Sequence, residues 1–245
     1  MDVMTNRYGP RGVFAIVAPL QNANMQPEFE LLRPDGISNQ IYRFDISNHG
    51  SAPEAVVSAI PGTLGCWPDL ILCGNSVEMA DWTVEKQMMY RTRLEEKANG
   101  VPVLTATDAC QAALQTLDAR RLAILSPMGE KQAHGAQEYY KSLGYDVPHV
   151  TWLDIEKSED IIKTTDAQIL DAFHRLDHDD VDTFLHLGGA LPLVSLISGL
   201  ENSLGRSVVS TNAASYWYAL RRHGIKDRLD GYGRLLLQTD IVLGA

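Results

Sequence analysis

Short apolar runs alternate with stretches of helical spacing along almost the whole chain, and this rhythm limits the fold more than any other feature. Residues 13–18, 70–73, 122–125 and 183–187 read as buried strands, and 41–46, 102–104, 147–153 and 208–209 as the remaining ones. Between them, residues 55–60, 82–97, 107–117, 130–143, 166–176, 194–204 and 213–222 carry helical spacing. Asp81 is placed to cap the second of these, and Gly62, Gly100, Gly144, Gly205 and Gly224 follow helix ends, where a residue free of a Cβ can turn the chain. Strands this short and this apolar need cover on both faces. The pattern therefore predicts an α/β fold with mostly parallel sheets flanked by helices.

Charge and cysteine content narrow the function. The 245 residues hold 21 Lys and Arg against 31 Asp and Glu, a net charge of −10. That sign is wrong for a nucleic-acid or anionic-membrane surface. It leaves an anionic substrate open, because backbone N–H groups can bind an anion whatever the global charge. No apolar run approaches the ~20 residues of a membrane span, and residues 1–12 have no apolar core of the signal-peptide kind. Three cysteines, Cys66, Cys73 and Cys110, form neither pairs nor metal spacing. The expectation is a cytoplasmic protein, with self-association left open. His174 and His178 stand four apart among aspartates, which suits either a metal pair or a solvated helix end. Gly231-Tyr232-Gly233-Arg234 lacks the third glycine of a dinucleotide fingerprint.

A weak internal echo suggests two related halves. Leu72-Cys73-Gly74-Asn75 resembles His186-Leu187-Gly188-Gly189, and Val103-Leu104-Thr105 resembles Val209-Ser210-Thr211. Either two facing lobes or a chance likeness of small-residue turns would produce it. On the first reading, residues 1–117 with 210–245 form one lobe and 118–209 the other, with a cleft at the carboxyl ends of the strands. Five segments after strands are small and polar: Pro19 to Glu28, Gly74-Asn75-Ser76, Ser126-Pro127-Met128-Gly129, Gly188-Gly189 and Ser210-Thr211-Asn212. Such turns can offer amides, hydroxyls and helix-start N–H groups to a carboxylate, or can simply be good turns.

These segments resemble the maleate cis–trans isomerase and arylmalonate decarboxylase branch of the aspartate/glutamate racemase superfamily. The likeness spans nearly the whole chain: Pro19 to Glu28 is similar to the first substrate loop, with Asn22 at its ligand-binding asparagine. Gly74-Asn75-Ser76 and the stretch from Leu185 to Leu191 are similar to the two catalytic turns, and Val208 to Leu220 with Gly231 to Leu235 to the C-terminal part. The resemblance implies two pseudo-symmetric lobes with the active site between them, and neither metal nor organic cofactor. It also implies chemistry through an enediolate, a cysteine adduct or a cysteine acid–base pair. The chain departs from the family where that chemistry is done. The first cysteine position aligns with Gly74, the second with Leu187, and a pocket tyrosine with Met128.

The expected ligand on this reading is a small carboxylic or dicarboxylic acid, bound by Asn22, Gly74, Asn75, Ser76, Gly188, Gly189, Thr211 and Asn212. Proton delivery falls to Cys73, if the turn shifts by one residue to face it into the cleft, or to His186 beside the second cysteine position. The leading expectation is a decarboxylase-type lyase, because Gly74 matches the decarboxylases. The alternatives are a maleate-like isomerase using Cys73, a carboxylate-binding module without chemistry, and a hydrolase using Ser76. Tyr232 and Arg234 either close over the substrate or pack the C-terminus.

Overall fold

A computed structural model describes residues 6–46 and 51–242. Residues 1–5, part of the segment read above for a signal sequence, lie outside that range. Strands β1 (Gly12–Pro19), β2 (Ile37–Phe44), β3 (Leu70–Cys73) and β4 (Val103–Thr105) form one sheet in the order β2-β1-β3-β4. Strands β5 (Arg121–Ser126), β6 (Asp146–Trp152), β7 (Thr183–His186) and β8 (Ser207–Ser210) form a second in the order β6-β5-β7-β8. Every pairing is parallel. The two sheets are topological copies, each with its second strand on one edge and its fourth on the other. The chain is thus an α/β protein of two pseudo-symmetric lobes.

The copies align one residue away from the echo in the sequence. In the first sheet Cys73 pairs with Thr105, and in the second His186 pairs with Ser210. Gly74 donates its N–H to Val17, as Leu187 does to Leu125. Cys73 therefore corresponds to His186 and Gly74 to Leu187. The echo instead set Cys73 beside Leu187, because it matched glycine to glycine across turns of unequal length. Thr105 and Ser210 share a role, each capping the helix that follows through a side-chain oxygen.

Eight helices are described: α1 (Met25–Leu31), α2 (Ala52–Thr63), α3 (Val84–Lys97), α4 (Ala106–Thr116), α5 (Glu130–Ser142), α6 (Asp166–Arg175), α7 (Ile197–Leu204) and α8 (Thr211–Arg222). None among the described residues is long and apolar enough to cross a membrane. Thr83, not Asp81, caps α3 by accepting the Lys86 N–H at 3.1 Å, and Asp81 instead pairs with the Lys86 ammonium. β2 starts four residues before the expected 41, where Ser38, Asn39 and Gln40 pair with β1. Its edge position leaves much of it half-buried, so the polar residues that hid it from the sequence cost little there.

The lobes meet along α4 and α8, the helices that follow the last strand of each sheet. Ala106, Ala109, Cys110, Ala112 and Ala113 are buried on α4, and Ala213 and Ala214 on α8, so small side chains permit close approach. From α8, Tyr216 packs on Phe29 of α1 at 5.1 Å between ring centroids and donates its hydroxyl to Asn39 of β2. Arg221 holds the chain beyond α8 through the carbonyls of Ile225, Asp227 and Gln238. Asp227 in turn pairs with Arg11.

One buried carboxyl crosses the junction. Glu28 of α1 accepts the N–H groups of Leu193 and Val194 at 2.7 and 2.8 Å, and the Asn212 amide at 2.7 Å. Burial pushes its pKa above the ordinary carboxyl value, against those hydrogen bonds. Removing it would strand three donors in the interior. We expect Glu28→Ala to cost about 3 kcal/mol or more in urea unfolding, and Glu28→Gln, which keeps one acceptor oxygen, clearly less.

Candidate active site

The turn after β3 and the turns after β7 and β8 meet between the lobes at one hydroxyl. Thr211 Oγ1, fully buried at the start of α8, donates to the His186 carbonyl at 3.2 Å. It accepts the Gly188 N–H at 3.1 Å and stands 3.2 Å from Ser76 Oγ. With the threonine proton committed to His186, Ser76 is the donor in that pair. Ser76 Oγ also accepts the Gly188 N–H at 3.1 Å. Ser76 thus links the first lobe to the second and is half-buried at the floor of a cavity of about 720 Å³. Met79 and Trp82 line this cavity from the first lobe. Met128, Lys131, Gln132 and His134 line it from the second, the last three on the first turns of α5.

The amide loop before α1 braces the lobes from behind the lining of this cavity. Asn22 Oδ1 accepts the N–H groups of Asn24 and Met25 at 3.0 and 2.8 Å, which leaves its Nδ2 as the group able to meet a ligand. Asn24 reaches across the lobes to the Gly189 and Leu191 carbonyls. Asn212 donates to Glu28 and to the Gly189 carbonyl, while its buried Oδ1 has no partner. The Gly188 N–H is taken by the two hydroxyls, so the Gly189 N–H is the better placed of that pair to meet an anion.

Both candidate proton donors point elsewhere. Strand alternation sends Cys73 to the side of Ile71, into the apolar cluster of α2 and α3 with Ala55, Ile60, Tyr90 and Leu94. It is fully buried, and desolvation pushes its thiol well above the usual range. The turn does not shift, and Cys73 is neither nucleophile nor acid. His186 likewise lies on the side of Phe184, whose ring packs on Phe173 of α6. Its ring nitrogens are buried without partners, and burial pulls its pKa down to about 3. Held on the buried side of the strand, the ring is not placed to deliver a proton to a substrate in the cleft.

The other candidates also sort by placement. The Asn75 amide is buried near the Tyr90 hydroxyl, and neither its nitrogen nor its oxygen is hydrogen-bonded, so both stay available to a ligand. Gly74 gives its N–H to the sheet and contributes space instead of a donor. Cys110 is buried on α4, and Cys66 is half-buried in a turn where its thiol meets the Thr63 carbonyl. No thiol lines the cavity among the described residues. Ser76 has hydroxyl and N–H partners and no imidazole or carboxylate to take its proton, which removes the basis for a serine hydrolase. Tyr232 packs against the core, and the Arg234 backbone N–H bonds Glu201, both serving the C-terminus. His178 falls beyond α6 and stacks on His149 at 3.8 Å. Among the described residues no three metal-binding side chains cluster.

Lys131 and Gln132 carry no signal in the sequence, and Met25 and Glu28 none beyond their place in the Pro19 to Glu28 segment. Glu28 and Met25 sit on a helix read as loop, and Lys131 is one cation on an exposed helix face. Met25 and Glu28 gain their place by meeting residues far along the chain, and Lys131 and Gln132 gain theirs by lining the cavity.

Two parallel sheets of one topology, with the turns after their third and fourth strands facing across a shared cleft, define a two-lobed class of α/β protein. Residues 84–236 match the family model of arylmalonate decarboxylase, and the chain belongs to that family. It is 23% identical over 241 residues to the maleate isomerase of Nocardia farcinica (strain IFM 10152), covering 93% of this chain and 96% of that protein. A mutant of the Nocardia farcinica maleate cis–trans isomerase with a covalently bound succinylcysteine intermediate superposes with a TM-score of 0.83. It shares 20% identity over 91% of this chain and 97% of the other. Arylmalonate decarboxylase superposes at 0.78, with 20% identity over 91% and 98% of the two chains.

Burial of His186 has a measurable consequence. The unfolded imidazole takes a proton below its ordinary pKa of 6.5, while the folded one resists until about pH 3. The stability this group contributes is present above pH 6.5 and is lost as pH falls below it. Between pH 7 and pH 5 the loss is about 2 kcal/mol. Glu28 and Glu78, with raised pKa values, act in the opposite direction, so the readout is a difference. We expect His186→Leu to lose about 2 kcal/mol less than the native chain between those pH values in urea unfolding. Equal losses would place the ring in water.

Proposed function

We propose that this chain binds a small carboxylic or dicarboxylic acid in the interlobe cleft and acts on it as a decarboxylase-type lyase without a thiol. The observation that carries the reading is Ser76. It is a proton-bearing side chain on the cavity floor, tied to the second lobe through Thr211 and the Gly188 N–H. A substrate carboxylate would be met by Asn22 Nδ2 and the Gly189 N–H, with Lys131 on the rim as the attracting cation. Loss of one carboxylate as CO2 leaves its bonding electrons on the α-carbon, delocalised into the remaining carboxylate as an enediolate. Fixed N–H and hydroxyl donors stabilise the charge that develops there. The Ser76 proton leaves its hydrogen bond to Thr211 Oγ1 and passes to the α-carbon; water entering the cavity then reprotonates the serine oxygen, and the hydroxide so formed combines with the released CO2 as bicarbonate.

Membership of the arylmalonate decarboxylase family supports this reading, and so does glycine at position 74. Isomerisation through a succinylcysteine, as in the Nocardia enzyme's mutant, needs a thiol at the cleft, and Cys73 lies in the core. One observation favours a second reading, an acid-binding module without chemistry: the Met25 side chain fills the space between Gly74 and Gly189.

Proton NMR in D2O with phenylmalonate, methylmalonate and maleate separates the two. Deuterium in a monoacid product is the expected result, with Ser76→Ala slowing it by about a hundredfold or more. Thermal stabilisation by the acids with no turnover at all would leave the binding module standing and the lyase refuted. Charge reversal in Lys131→Glu should weaken acid binding about tenfold at low salt, with the difference shrinking as salt is added.

A further inference from the structure

Met25 holds a position that the proposed reaction does not explain. Its main chain is fixed at the start of α1, with its N–H on Asn22 Oδ1 at 2.8 Å, and Asn24 beside it is tied to the Leu191 carbonyl at 2.9 Å. From that anchor the thioether enters the gap between the lobes. A Cβ built on Gly74 would stand 2.5 Å from Met25 Sδ and 2.7 Å from Cε. A Cβ on Gly189 would stand 3.1 Å from the same methyl. One side chain therefore touches the turns of both lobes, and it is 1% exposed. Asn212 Oδ1 also lies beside Gly189 and has no hydrogen-bond partner, so a buried acceptor open to a donor stands at the same glycine as the Met25 methyl. Met79 also reaches this region, but its sulfur is engaged by Ser126 Oγ. An unbranched thioether with three rotatable bonds can leave such a place without moving the backbone.

We infer that Met25 is the specificity-determining residue of the cleft. Asn22 Nδ2 and the Gly189 N–H are the groups given above to a carboxylate, and the carbon attached to that carboxylate would lie between Gly74 and Gly189, where the Met25 methyl now sits. An acid enters as this side chain swings aside, and the bulk at position 25 limits the substituent on the reacting carbon. The inference rests on the acid-binding reading above.

The test uses the full chain labelled with methyl-13C methionine, titrated with malonate, maleate and phenylmalonate, together with calorimetry on Met25→Ala and Met25→Leu. The Met25 methyl signal, identified by its loss in Met25→Leu, should shift on saturation while those of the exposed Met88 and Met89 stay in place. Met25→Ala should tighten phenylmalonate by about tenfold and malonate by less than about threefold. A branched leucine, unable to clear the gap, should weaken all three. Acids that bind with an unmoved Met25 methyl and unchanged affinity in Met25→Ala would overturn the inference and leave the acid-binding reading intact. No binding by the native chain or by Met25→Ala would overturn both. Binding by Met25→Ala alone would also overturn both, since the methionine would then block the cleft instead of moving aside.

Discussion

The buried carboxyl of Glu28 is the contact on which the site's geometry depends. Three donors from the second lobe converge on it, and none could leave without becoming an unpaired polar group in the interior. Because Glu28 lies one turn along α1 from Met25, fixing it fixes the start of that helix. Asn22, Asn24 and Met25 then stand in set positions against the Gly189 turn. The close packing of small residues between α4 and α8 completes the junction and brings Thr211 to Ser76.

The two-fold repeat explains which side chains can reach the cleft. In each lobe the third strand ends on a residue facing the outer helices, Cys73 in one and His186 in the other. The next residue, Gly74 or Leu187, begins the inter-lobe turn. Neither brings an acid or a base. The reactive-looking groups are thus one residue short of the site in both lobes, and the same alternation of strand faces removes both. What reaches the cleft is a serine, a threonine, amides, backbone N–H groups and the thioethers of Met25, Met79 and Met128, with Lys131 and His134 on the cavity wall. That set suits recognition of a carboxylate and stabilisation of negative charge. Among the described residues, the proton-bearing group that both lobes hold in place at the cavity is the Ser76 hydroxyl.

Much of the fold was legible because local rules and burial agreed. The strands at 13–18, 70–73 and 122–125 were apolar enough to announce themselves, and α5, α6 and α7 matched their spacing and end signals closely. Failures came where a neighbour overrode local preference. β2 begins in polar residues because it lies at a sheet edge. α1 has seven residues and a proline, and forms because Phe29 and Glu28 find partners on α8 and in the second lobe.

The sequence by itself determined the alternating α/β order, the acidic surface, the family likeness and the absence of cysteine at positions 74 and 187. Each of these follows from residue types or their spacing along the chain. Only the tertiary structure decided that Cys73 and His186 turn away from the cleft, that Ser76 and Thr211 meet, and that Met25 occupies the space between Gly74 and Gly189. Those outcomes depend on which face of a strand is covered and on contacts between residues more than a hundred positions apart. Burial, not residue type, sets the protonation of the thiol and the imidazole, and burial exists only once the outer helices of each lobe cover its sheet.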